Sequence, residues 1–314
     1  MNRSRGKIII IFACLIGLCL SPPFLSPYSL SLLTQILIFG IFAASLDLLV
    51  GYSGLISLGH AAFWGTGAYT IKILYHNGFF ENFFPLFFLA IGMVLIIALV
   101  FGFLATKMGG IYFLMITLCF SQVLFAIAWK WKKVTGGDDG LPGIFRPILG
   151  INWDLGNDLN FYYFSLIIFI LSIWIMFRII SSPFCKALQG IRESESRMEA
   201  LGFNIRLYKF ICYVISGLFS GVGGILSAFY YGLAFPYDLS LILSGEGLMM
   251  NIIGGIGTLW GPIIGAGVVI LLKHMISGYT MHWPLMVGGI FILAVMFVRG
   301  GIAGFLSKIW KFYE

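Results

Sequence analysis

Ser181–Lys209 reads SSPFCKALQGIRESESRMEALGFNIRLYK, the one long charged stretch in a chain that is otherwise nearly all apolar. Phe184, Ala187, Leu188, Ile191, Met198 and Leu201 recur at the three-and-four spacing of a helix face. Lys186, Arg192, Glu193, Glu195, Arg197 and Glu199 fall mostly on the other side. The pattern predicts a pair of short amphipathic helices outside the lipid. Ser182 before Pro183 marks the first start, Ser196 with Glu199 fits a capping box for the second, and Gly202 is placed to stop it. Such an apolar stripe needs something to press against, either the rest of the chain or another protein. An interfacial helix resting on lipid headgroups is the plainer alternative.

The flanking sequence sets the class. Hydrophobic residues make up 60% and charged residues 10%, against about 25% charged in a typical soluble domain, and the mean hydropathy is +1.01. About 20 apolar residues cross the hydrocarbon core as a helix, so the 314 residues hold roughly ten spans and no separate soluble catalytic domain. The expectation is a single all-α polytopic membrane domain over residues 1–314. Its 40 glycines suit close helix packing in lipid. The net charge of +7 comes from basic residues beside span ends and reports orientation rather than nucleic-acid binding. The cysteines at 14, 19, 119, 185 and 212 suggest neither a disulfide nor a metal-ligand pair.

The spans read in order as Ile8–Leu20, Leu30–Val50, Leu55–Tyr75, Phe83–Ala105, Ile111–Trp129, Phe161–Ile180, Phe210–Tyr231, Leu241–Ile256, Pro262–Ser277 and Pro284–Val298. Arg3, Arg5 and Lys7 give the first the look of a signal peptide, but Ser21-Pro22-Pro23-Phe24 offers no small-x-small cleavage site, so it reads as a retained span. A polar loop at 130–160 follows the fifth span, and the charged stretch 181–209 follows the sixth. With a cytoplasmic N-terminus and ten crossings, thirteen Lys and Arg fall on the cytoplasmic side, including Arg178, Lys186, Arg192 and Arg299. Only Lys130, Lys132, Lys133 and Arg146 fall outside, with Lys72 and Lys273 near outer span ends where they can snorkel. Both termini and the charged stretch are therefore expected in the cytoplasm.

No nucleotide, metalloprotease, thiol-redox or serine-hydrolase motif is present, and His60, His76, His274 and His282 have no partner at a ligand spacing. The chain is not expected to be an enzyme, nor to carry a metal or cofactor. Asp47 and Glu246 are the clear carboxylates within spans, where charge is costly. Asp47 lies about one turn from its span end and reads equally as facing a cavity or partner or as simply meeting water. Glu246, in Ser244-Gly245-Glu246-Gly247, reads equally as a pathway residue or a loop-end acid. Gly217 with Gly221, and Gly257, Gly261 and Gly265, repeat at four-residue steps and read as close helix packing. Thr135–Gly143 is a dense turn whose adjacent aspartates do not match a calcium loop.

Four stretches, in order, carry a resemblance. Gly254–Ala266 (GGIGTLWGPIIGA) resembles the GG-x-GT-x-x-GP-x-x-GA signature of the permeases of branched-chain amino acid ABC importers, of the LivM type. Gly51–Phe63 (GYSGLISLGHAAF) is similar to that family's G-x-x-G-x-x-SLGHAAF, and Thr135–Leu141 to its TGG-x-DGL loop. Gln189–Asn204 is similar to its AIRE-x-E…EALG-x-N loop, departing at Ser194, Ser196, Arg197 and Met198.

The resemblance implies a coupling helix in 181–209 that engages two cytoplasmic ABC ATPase subunits, with Leu188, Ile191, Arg192, Glu193, Glu195, Glu199, Ala200 and Gly202 carrying the contact. It further implies a second permease of the LivH type, a periplasmic or extracellular binding protein, and inner-membrane residence. Branched-chain amino acids are the implied solute, with urea or short amides the alternative within the family. A self-contained ion-coupled carrier or channel is the alternative outside it. Ser53, Ser57, His60, Glu246 and Asn251 are the expected polar contacts along the path. Polar substitution at Leu188 and Ile191 is expected to release the ATPase.

Overall fold

The computed structural model describes residues 17–76, 82–143, 146–147, 153–279, 282–297 and 300–304. Helix α1 (Pro27–Asp47) starts with Pro27 at its first position and the Ser26 hydroxyl accepting the Ser29 N–H. It does not stop where its α geometry ends. Leu48–Ser53 continues it as a π-helical turn, which Gly54 closes at φ 73°. The chain then runs without helix to α2 (His60–His76), so the expected third span begins five residues later than Leu55.

Helices α3 (Phe83–Ala105), α4 (Gly110–Lys130) and α5 (Asp158–Ile180) follow. Next come the two short helices of the charged stretch, α6 (Pro183–Glu193) and α7 (Glu195–Ala200). The long α8 (Ile205–Tyr231) is capped by Asn204, whose side chain accepts the Leu207 N–H. Helices α9 (Leu241–Gly254), α10 (Trp260–Ser277) and α11 (Trp283–Phe297) complete the described chain. A two-residue antiparallel ladder joins β1 (Leu141–Pro142) to β2 (Leu233–Ala234).

Among the described residues, six helical stretches are long and apolar enough to cross a membrane: Pro27–Ser53, Phe83–Ala105, Gly110–Lys130, Asp158–Ile180, Ile205–Tyr231 and Trp260–Ser277. Helices α2, α9 and α11 are shorter. Most of the expected first span lies outside the described residues, as do parts of the loop at 130–160.

Burial ranks the helices. α1, α2 and α8 form the interior, and α8 packs against α1, α2 and α3 along its length. α3, α4 and α5 instead turn large apolar side chains outward, among them Phe88, Ile96, Met115, Ile167 and Trp174. A helix that keeps its backbone hydrogen bonds to itself can present such a surface to lipid at no polar cost.

The interior helices approach closely through glycine. A Cβ at Gly224 would collide with the Trp64 carbonyl, and one at Gly67 with the Gly221 carbonyl, so α2 and α8 cross main chain to main chain. Gly217 lies against the Phe63 ring and Gly221 against Val94. Where α9 meets α10, a Cβ at Gly254 or Gly261 would meet main-chain oxygen, and one at Gly265 would meet the Met250 carbonyl.

Candidate functional site

The charged stretch does not hang free. Cys185, Ala187, Leu188 and Ile191 are buried along one side of α6, which lies against the π-turn. Leu188 joins Leu49, Leu55, Cys212 and Tyr213 in one apolar cluster. The stripe therefore presses on the chain itself, which corrects the expectation that Leu188 and Ile191 face an ATPase. The exposed side carries Lys186, Gln189 and Glu193.

On α7, Glu199 and Ala200 are exposed, and Leu201 just beyond it is 71% exposed, against its expected place on the inner stripe. Ser194, not Ser196, caps α7 by accepting the Arg197 N–H. Ser182 does not cap α6, since its hydroxyl donates back to the Ile179 carbonyl. Gly202 stops α7 at φ 85°. Glu195 pairs at 2.7 Å with Lys209, which is buried in the first turns of α8.

Two long-range contacts join this element to the spans. Arg192 donates through Nη1 to the Gly51 carbonyl in the π-turn. One turn earlier in that segment, Asp47 is fully buried rather than watered, and its Oδ1 accepts the Gly257 N–H at 2.7 Å. Gly257 adopts φ 79° in the link between α9 and α10. The end of α6, the end of α1 and the α9–α10 link thus meet at one point, and Asp47 supplies the acceptor that a buried main-chain N–H requires.

Deeper in, His60 organises a polar knot. Its Nε2 lies 2.8 Å from Ser45 Oγ and 3.5 Å from Ser216 Oγ, and its carbonyl accepts the Ser220 hydroxyl at 3.0 Å. Ser244 Oγ accepts the Ala61 N–H at 3.0 Å, which adds α9 to α1, α2 and α8. Ser53 donates to the Leu49 carbonyl, Ser57 accepts the Gly59 N–H, and Asn251 donates to the Gly247 carbonyl, all buried. Of the five residues expected along a path, His60 thus joins packed segments, while Ser53, Ser57 and Asn251 are buried and bond within their own stretch of chain.

The fifth is different. Glu246 borders a cavity of about 260 Å³ between α1, α9 and α10. Its Oε1 accepts Tyr237 Oη at 2.9 Å and Lys273 Nζ at 3.3 Å. Gln35 Oε1 lies 3.0 Å from His274 Nε2 across the same space. Sequence reasoning placed Lys273 as a snorkelling residue, named His274 only as a histidine without a ligand-spaced partner, and passed over Gln35. The available signal was Lys273-His274 inside an apolar span and Gln35 inside another.

The turn at Thr135–Gly143 is held internally. Thr135 Oγ1 donates to the Ala128 and Trp131 carbonyls, and β1 ties the turn to β2. Among the described residues no group of three or more His, Cys, Asp or Glu is arranged to hold a metal.

The high-affinity branched-chain amino acid transport system permease protein LivM of Escherichia coli (strain K12) is 25% identical over 96% of this chain and 76% of its own length. LivM of Salmonella typhimurium is 26% identical over the same shares. The galactose/methyl galactoside import permease protein MglC of Salmonella typhimurium is 26% identical over 44% of this chain and 43% of its own length. No solved structure matches. The ordered glycine-rich stretches, the knot at His60 and the anchored charged element all fall within residues 28–299, over which the profile of the branched-chain amino acid transport system permease component matches, and the chain belongs to that family.

Proposed function

We propose that this chain is the permease subunit of an ABC importer that carries branched-chain amino acids into the cytoplasm, as the names of its LivM relatives suggest. In this reading it spans the inner membrane about ten times, the shorter α2, α9 and α11 included, as one domain with both termini inside. The chain performs no chemistry on the solute. Two ATPase subunits press on the exposed side of α6 and α7 around Lys186, Glu193, Glu199 and Leu201. A second permease of the LivH type completes the path, and a binding protein docks at Thr135–Gly143 and 236–240.

The observation that carries the reading is the anchorage of α6. An amphipathic element whose inner side is buried on the spans, and whose Arg192 grips the end of α1, transmits a push from the cytoplasm into α1 and the α9–α10 link. Partial likeness to MglC favours a sugar as the second reading of the solute.

The complete importer in proteoliposomes is expected to take up radiolabelled leucine only with ATP, with excess galactose failing to compete. Accumulation of leucine against its gradient by this chain alone would show a self-contained carrier and refute the proposal. Uptake of galactose in place of leucine would select the second reading.

A further inference from the structure

We propose that the cavity between α1, α9 and α10 is a binding site for a zwitterionic α-amino acid, with Glu246 taking the ligand's ammonium and Lys273 its carboxylate. The inference rests on the proposed function and gives its substrate class a chemical basis.

Two opposite charges sit on two helices that carry no other Asp, Glu, Lys or Arg, and both remain partly accessible: the side chain of Glu246 is 13% exposed and that of Lys273 33%. A charge at membrane depth is costly unless it faces a partner or water. The side of the molecule that bears this pair therefore borders an aqueous path or another subunit rather than lipid.

Without ligand, each group answers the other at 3.3 Å. An amino acid carries its ammonium and carboxylate one carbon apart. It reaches both side chains only where those side chains are already adjacent, as they are here. On entry, the ligand's ammonium takes the place of Lys273 at Glu246, and its carboxylate takes the place of Glu246 at Lys273. One ion pair becomes two, and the net charge of the cavity stays at zero. A free amine or a free acid would displace one half of the Glu246–Lys273 pair without supplying the opposite charge in its place, which in a poorly solvated site is heavily penalised. Tyr237, donating to Glu246 at 2.9 Å, fixes the carboxylate in place.

The rest of the wall suits an aliphatic side chain. Phe39, Met250, Val269 and Ile270 supply apolar surface, and the Gln35–His274 contact spans α1 and α10 across the space. The volume, about 260 Å³, lies just below the ~300 Å³ at which pockets for larger ligands begin, which fits a single amino acid.

The test is ligand-observed NMR on the complete importer in nanodiscs without its binding protein, with L-leucine, isocaproate (no ammonium) and isoamylamine (no carboxylate) as probes. Wild type is expected to bind leucine and to reject both truncated probes. Glu246→Gln should weaken leucine about tenfold, the loss of one charge-assisted contact, and erase the preference over isocaproate while keeping that over isoamylamine. Lys273→Met should do the reverse. A purely structural pair would weaken all probes alike, and that outcome overturns the site. So does leucine binding unchanged in both variants, or absent from wild type at about 10 mM, a very weak affinity. Leucine uptake by the same importer separates the two claims: uptake with unaltered binding in both variants refutes the site alone, and no leucine uptake by wild type refutes the functional reading.

Discussion

Arg192, the penultimate residue of α6, donates to the main-chain oxygen of Gly51, so the polar element is fastened to the backbone of a span rather than to a side chain. A main-chain acceptor cannot rotate away. The fastening therefore follows α1 wherever its last turn moves. Removing it should uncouple motion more than it harms folding. Arg192→Ala is expected to lower ATP-driven uptake about tenfold, as the loss of a ~1.5–3 kcal/mol charged hydrogen bond implies. Copurification of the ATPase with a transport rate at the wild-type level would contradict this.

Asp47 and Gly257 are 210 positions apart, and their contact joins the end of α1 to the α9–α10 link. Asp47→Ala leaves the Gly257 N–H without that acceptor and should cost about 1–3 kcal/mol, read as a lowered thermal midpoint in detergent. Asp47→Asn keeps an oxygen in place and should recover most of the loss.

Leu188 and Leu201 make a matched pair of probes because one is 2% exposed and the other 71%. Leu188→Asp buries a carboxylate in an apolar cluster and should destabilise the permease itself by more than about 3 kcal/mol. Leu201→Asp should leave its thermal midpoint within a degree or so, as surface changes do, and abolish copurification of the ATPase.

Burial pushes the Cys185 thiol up to about 11. The folded protein keeps it neutral, so the stability this contributes is present below the ordinary thiol value and is lost as pH rises through about 11. Maleimide is expected to leave Cys185 unmodified at neutral pH until denaturant is added, as mass spectrometry of the tryptic peptide would report. Cys185→Ser should remove that part of the alkaline sensitivity.

Gly265→Ala places a methyl group against the Met250 carbonyl and should cost at least about 1–3 kcal/mol, the usual penalty of overpacking. Gly217→Ala meets the edge of the Phe63 side chain first, at 3.0 Å, rather than a main-chain oxygen, and should be tolerated better in the same thermal assay.

The inward stripe of α6 was legible because burial on a helix leaves a 3.6-residue period, and Leu188 and Ile191 obey it. The start of α2 was not. Leu55-Ile56-Ser57-Leu58 is as apolar as a span, yet it stays non-helical because Gly54 ends the π-turn at φ 73° and Gly59 is driven against the Thr117 carbonyl. Composition carries no trace of such a close approach. Asp47 read as readily for an acid meeting water as for a partnered one, because its partner is a main-chain N–H, which no side-chain pattern records. The pairing of Lys273 with Glu246 likewise exists only once α10 lies on α9.

That contact between α9 and α10 has a mechanical corollary. With carbonyls rather than side chains at the crossing of Gly254, Gly261 and Gly265, the two helices have no cushion and no slip plane. Displacing one is expected to carry the other with it, so the two charges mounted on them, one per helix, should stay neighbours wherever the pair moves.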